Sequence, residues 1–179
     1  MAEIFRIAIN GPESTGKSQL AADLARHFGC EYVPEIAREY LHQLGRPYEE
    51  KDLLEIARLQ IDAEEKLLQQ KPPVLICDTS LLVIKIWSHY KYGRCHPWIE
   101  TTEQTRKYSL HLLTDIDLPW EDDPLREHPG HRLELFSIYY RELLQKPESF
   151  FLIRGIGEER LQSAIRNLQS ELNKRSAGH

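Results

Sequence analysis

Near the start of the chain, Gly11-Pro12-Glu13-Ser14-Thr15-Gly16-Lys17-Ser18 places four residues between two glycines and follows the second with Lys and Ser. This is the pattern of a phosphate-binding loop, in which glycines let backbone N–H groups curl around a phosphate with no side chain in the way. Such a loop needs a buried strand to deliver it and a helix whose N-terminus faces the anion. Both flanks are present. Ile4 to Asn10 reads as a buried strand, and Lys17 to Phe28 sets Leu20, Ala21, Leu24, Ala25 and Phe28 at helical spacing before Gly29.

The rest of the chain continues the alternation. A short strand at Glu31 to Val33 stops at Pro34, a helix runs from Glu35 to Leu44, and a longer one from Tyr48 to about Gln70 ends at Lys71-Pro72-Pro73. A third strand covers Val74 to Cys77, helices cover Leu81 to Tyr92 and Trp98 to Tyr108, and a fourth strand covers Leu110 to Leu113. Thr114 to Pro129, acidic and proline-rich without periodicity, reads as a long loop, with a lid at about 115–130. Helix Arg132 to Gln145, strand Phe150 to Ile153 and helix Glu158 to Asn173 follow. The expectation is one α/β domain over 1–179, with a mostly parallel sheet covered on both faces.

Bulk properties narrow the function. At 179 residues there is room for one ordinary domain and one active site. A net charge of -5 gives no basic face for nucleic acid, and no run nears the roughly 18 apolar residues that span a bilayer. Met1 to Arg6 carries no secretion signal, so a cytoplasmic setting is expected. Cys30, Cys77 and Cys95 fit reduced thiols, and the histidines, His96 included, show no metal-ligand spacing, so no zinc site is expected.

Within the loop, Gly11, Glu13, Ser14, Thr15, Gly16, Lys17, Ser18 and Gln19 are the expected ATP-binding residues, with Lys17 bridging the β- and γ-phosphates. Ser18 would place its hydroxyl on Mg²⁺. Asp78, ending an apolar strand, would join it at the metal or act as base; the competing role is a cap for the helix after it, open also to Thr79 and Ser80. Glu35 and Arg38 are candidates for proton removal and acceptor binding, or else a solvated helix face. Arg126 and Arg132 bracket the lid and would meet the γ-phosphate, or merely balance its carboxylates. Trp87, Tyr90, Trp98 and Trp120 could wall a flat substrate ring.

With these motifs the chain resembles the ribosylnicotinamide kinase domain of NadR-type proteins, within the P-loop kinase superfamily. The resemblance rests on the phosphate loop, Val33-Pro34-Glu35-Ile36-Ala37-Arg38-Glu39-Tyr40, Cys77-Asp78-Thr79, His96-Pro97-Trp98, Leu113-Thr114-Asp115, Pro119-Trp120 and Leu125-Arg126. It implies a five-stranded parallel sheet, ATP with Mg²⁺, and transfer of the γ-phosphate to the 5′-hydroxyl of nicotinamide riboside. It also implies that Glu35, Arg38 and Asp78 line the acceptor and metal side and that adenine lies near Arg154-Gly155-Ile156-Gly157. Pro34 departs from relatives that carry an aromatic residue there. With the loop starting at Gly11, only the kinase step is expected of this chain. The alternatives are a kinase for another nucleoside or nucleotide, or a P-loop regulatory ATPase. A GTP switch is not expected, because Asn173-Lys174 continues with Arg175-Ser176, and Asp78 with Thr79-Ser80-Leu81.

Overall fold

A computed structural model describes residues 4–128 and 130–177; residues 1–3, 129 and 178–179, which belong to the expected domain and loop, lie outside the described residues. Five strands, β1 (Phe5–Asn10), β2 (Tyr32–Val33), β3 (Val74–Asp78), β4 (Leu110–Thr114) and β5 (Ser149–Ile153), form one parallel sheet in the order β2-β3-β1-β4-β5. The helices among the described residues are α1 (Lys17–Phe28), α2 (Ile36–Leu44), α3 (Glu50–Leu68), α4 (Leu81–Tyr92), α5 (Pro97–Thr105), α6 (Arg132–Leu144) and α7 (Glu158–Ala177).

Alternation along the strands explains the two-faced burial. Ile7, Ile9, Val74, Ile76, Leu110 and Leu112 pack with Leu20, Leu24 and Ala25 of α1 and Ala164, Ile165 and Leu168 of α7. The opposite face sends Ala8, Leu75 and Cys77 toward Leu67 of α3, and Leu113 toward Leu82 and Ile86 of α4 and Leu135 and Tyr139 of α6. With both faces covered, the strands read as continuous apolar runs. The central strand β1 is flanked by β3 and β4, so the crevice beyond its carboxyl end is where ligands of open α/β sheets bind.

That end is braced by a buried polar cluster. Asn10 accepts from Ser80 Oγ at 2.7 Å and donates from Nδ2 to His111 Nδ1 at 3.1 Å. Burial, with Lys146 adding to it, pushes His111 down to about 4, which keeps it the neutral acceptor that Asn10 needs.

One expected boundary is corrected. The helix expected over Trp98 to Tyr108 ends at Thr105, because Arg106 turns extended and, with Tyr108, is drawn to a carboxylate on α3. Glu64, wholly buried, accepts from Arg106 Nε and from the Tyr108 hydroxyl, both at 2.8 Å. His96 caps the shortened helix by accepting from the Trp98 N–H, and Pro97 occupies its first turn. Removing Glu64 alone takes from Arg106 its buried partner and leaves it only the largely exposed Glu65, at 2.8 Å. Glu64→Ala is expected to lose about 3–5 kcal/mol in urea unfolding, and the double variant Glu64→Leu/Arg106→Met clearly less.

Candidate functional site

The phosphate loop is held open by contacts that require its glycines. At Gly11, with φ 144°, an added Cβ would lie 2.4 Å from Thr114 Oγ1, and Thr114 Oγ1 itself stands 2.7 Å from Thr15 Oγ1. Gly16 takes a left-handed conformation at the start of α1, where no side chain caps the helix and no acidic residue occupies the first turn. The first N–H groups of α1 are therefore left facing the cleft, a ready anion site.

Lys17 lies along the loop and donates from Nζ to the Pro12 carbonyl at 2.7 Å. Part of its side chain reaches solvent, yet crowding by protein lowers its pKa, while Glu35, Asp78 and Glu13 pull the other way. Its charge is thus matched by nearby carboxylates while a carbonyl holds the ammonium.

Asp78 ends β3 beside Ile9 of β1, which places it next to the loop. Thr79, buried and at φ 76°, turns the chain sharply there and donates its N–H to Ile9 O at 3.1 Å. A β-branched residue in that region is strained, a kind of cost that clusters at functional sites. Ser80, not Asp78, caps α4, accepting from Leu82 N at 3.3 Å. Asp78 is 1% exposed, and its Oδ1 has no hydrogen-bond partner. Burial and then Glu35 push it up to about 6, against the Ser18 hydroxyl, Lys17 and Arg38. A buried, unpartnered carboxylate oxygen beside the exposed Ser18 hydroxyl is a fitting donor set for a hard divalent cation such as Mg²⁺.

A cavity of about 600 Å³ runs from the loop, Gly11 to Gln19, into a chamber walled by Ala37 and Leu41 of α2, Val83, Ile86, Trp87 and Tyr90 of α4, and Leu135 and Tyr139 of α6. Glu35 and Arg38 also line it. Glu35 precedes α2 without spending its side chain on a cap, and Arg38 pairs with Asp123 at 2.6 Å.

Over both parts lies the segment between β4 and α6. Glu13 accepts from the backbone N–H of Glu127 at 3.1 Å and of His128 at 3.0 Å, so this acidic loop residue anchors the segment. Arg126 reaches Ser14 Oγ at 3.4 Å and also donates to the Glu121 carbonyl. Arg132 donates to Ser14 O at 3.1 Å and Leu118 O at 2.9 Å. Both guanidinium groups sit about 6 Å from the Trp120 ring centre, within cation–π range.

Asp78, Trp98, Arg132 and Gly155 do not line the cavity; Asp78 and Arg132 lie against the phosphate loop, the other two elsewhere. Trp98 packs among α2, α3 and α4, with the Arg58 guanidinium 5.7 Å from its ring centre. Its place at the start of α5 points it into a satellite core. Gly155 donates its N–H to Asp117 at 2.6 Å behind the loop, and Ile156 beside it is 66% exposed.

Sequence reasoning missed Arg160. This α7 residue is 5% exposed and donates to Thr15 O at 2.7 Å, Asp117 Oδ1 at 2.6 Å and Gly155 O at 2.9 Å. It ties the phosphate loop to the start of the segment after β4 and to the turn after β5. The pairing of Arg160 with an acidic residue in the loop after β4 was the only available signal, and its long separation in sequence hid it.

The strand order, with a glycine loop at the end of the central strand, defines a P-loop protein of the kinase-like class. A family model described as AAA domain matches residues 6–160, and the chain belongs to that family. It is also homologous to the trifunctional NAD biosynthesis/regulator protein NadR. The Salmonella typhimurium (strain LT2) and Escherichia coli (strain K12) proteins are each 28% identical over 127 residues, 67% of this chain. The chain spans only about 30% of the length of those relatives. Among solved structures, NadR in complex with NR superposes with a TM-score of 0.79 at 20% identity, over 94% of this chain and 51% of the other. Thymidylate kinase from Ehrlichia chaffeensis gives 0.67 at 15% identity, over 94% of this chain and 100% of the other. At such identities the superpositions speak for the fold. Among the described residues no helix is long and apolar enough to cross a membrane.

The raised Asp78 has a consequence for stability. A carboxyl whose folded pKa rises from 3.8 to about 6 is most stabilising to the fold at low pH, and that contribution is lost as pH climbs through about 6. Asp78→Asn is therefore expected to be more stable than the parent at pH 7.5, by on the order of 2–3 kcal/mol. The difference should shrink toward pH 4 in chemical denaturation curves.

Proposed function

We propose that this chain is a kinase transferring the γ-phosphate of Mg-ATP to a nucleoside 5′-hydroxyl, with nicotinamide riboside as acceptor and nicotinamide mononucleotide as product. The observation that carries this reading is the continuous cavity, which joins an uncapped phosphate loop to an aromatic chamber across Glu35 and Arg38. A phosphoryl donor and a flat-ringed acceptor have adjoining berths there. Homology to NadR, and the likeness to a NadR structure holding NR, favour a nicotinamide-bearing acceptor over other nucleosides.

Each residue has a chemical task. The loop amides and Lys17, leaving the Pro12 carbonyl, hold the β- and γ-phosphates in line. Ser18 and Asp78 would hold Mg²⁺, which would supply charge neutralisation at the phosphates. Glu35, at the mouth of the chamber, takes the proton of the attacking hydroxyl; Arg38 orients the acceptor once it exchanges Asp123 for a ligand oxygen. The segment over the cleft acts as a lid. Arg126 turns from the Glu121 carbonyl to the charge spreading over the transferring group, while Arg132 steadies Ser14. Exposed Ile156 offers an apolar face to adenine in the turn that Gly155 begins.

Steady-state transfer with nicotinamide riboside, uridine, cytidine, adenosine, nicotinamide mononucleotide and water as acceptors tests the reading. The expected result is a kcat/KM for nicotinamide riboside at least about 100-fold above the others, the discrimination a pocket reaches when it reads polar groups. Preference for another nucleoside would overturn the acceptor, and acceptor-independent hydrolysis would overturn the kinase. Lys17→Ala should abolish transfer with the fold intact. Arg126→Ala should lower kcat by about 10³-fold or more. Asp78→Asn and Glu35→Gln should reduce kcat far more than ATP affinity; parent rates in both would refute the assigned chemistry.

A further inference from the structure

The turn between α4 and α5 gathers three side chains of metal-binding chemistry, although sequence spacing gave no reason to expect a zinc site. His89 closes toward the end of α4, Cys95 sits in the connecting turn, and Glu100 lies on the first turns of α5. Their donor atoms all lie within 4.8 Å of one another. Helical spacing rules look for ligands on one face of one helix. Here the reversal of chain at Gly93, left-handed at φ 69°, and the helix start at Pro97 fold the three together.

We propose that His89, Cys95 and Glu100 bind one divalent transition-metal ion of the Zn²⁺ or Co²⁺ type, stapling α4 to α5 outside the phosphoryl-transfer cleft. An imidazole, a thiolate and a carboxylate form a mixed N/S/O set that selects borderline metals over Mg²⁺. One thiolate and one carboxylate balance the dication. Bond lengths of about 2.0–2.3 Å put tetrahedral ligand atoms about 3.3–3.8 Å apart, so side-chain rotation of roughly an ångström closes the site. His89 Nε2 and Glu100 Oε1 already stand 2.8 Å apart, joined by a hydrogen bond that the ion would replace. Both are partly exposed, which gives the ion a path and leaves a fourth position for water.

The Ser88 side chain hydrogen-bonds the Cys95 thiol, while the charged neighbours are engaged elsewhere. Arg94, next to Cys95, is engaged by Glu50 at 2.6 Å, and Lys91 by Glu127 at 2.9 Å. The His96 N–H points at the Cys95 sulfur, and the His96 ring is committed through Nδ1 to the Trp98 amide. Cys77 is buried in β3, and Cys30 lies at the end of α1, across the sheet from this turn.

The test is a Co²⁺ titration of the full chain in excess Mg²⁺, read by the near-ultraviolet thiolate-to-cobalt charge-transfer band. One equivalent with such a band is expected. Cys95→Ser should remove the band, Glu100→Gln should weaken binding about tenfold or more, and Cys30→Ser should change nothing. Circular dichroism checks that each variant is folded, and Zn²⁺ should displace Co²⁺ and raise the thermal midpoint of the parent but not of Cys95→Ser. No thiolate band in the parent, or a band that survives Cys95→Ser, overturns the proposal. Because the readout is the metal spectrum, it stands or falls apart from the kinase reading.

Discussion

The structure is organised around an unsatisfied positive end. Helix α1 starts at a glycine with no side chain to cap it, and Lys17 adds a full charge at the same point. N–H groups at a helix start have no partner within the helix, and an anion that meets them is stabilised there. In this protein the compensation is partial: a carbonyl holds the ammonium, and Glu35, Asp78 and Glu13 surround it. The arrangement is suited to accept phosphate because none of these carboxylates occupies the amides themselves.

Much of the remaining architecture serves to keep that end in place. Strand β1 runs at the centre of the sheet, Thr114 on β4 closes against Gly11, and Asp78 on β3 stands on the other side. From behind, Arg160 gathers the Thr15 carbonyl, Asp117 and Gly155 into one cluster. From above, Glu13 carries the amides of residues 127 and 128, so the same loop that faces phosphate also anchors the segment covering it. Arg126 meets the same loop through Ser14, so two residues of the loop hold the covering segment.

What could be read from sequence was what is local. The phosphate loop, β1 and α1 follow from glycine placement and short periodicity, and α1 and α4 have the bounds that spacing gave. The acidic, proline-rich stretch was legible as a loop because nothing in it repeats. The failures share one cause, long-range pairing. Helix α5 ends early because Arg106 and Tyr108 seek Glu64, more than 40 residues away. Trp98 was placed by motif position, yet tertiary packing directs it to a satellite core. Arg160 looked like any charged residue of an amphipathic helix, and the His89, Cys95 and Glu100 group exists only once the chain reverses. The place of Asp78 at the end of an apolar strand was legible from sequence. That Ser80 takes the capping role, freeing Asp78, needed the structure.

The fate of the terminal phosphoryl group tests the central claim most directly. In a single turnover of γ-labelled Mg-ATP with nicotinamide riboside, the label should appear as a phosphomonoester on the 5′-oxygen, with little inorganic phosphate. Label recovered as inorganic phosphate at the same rate with and without nicotinamide riboside would contradict the account.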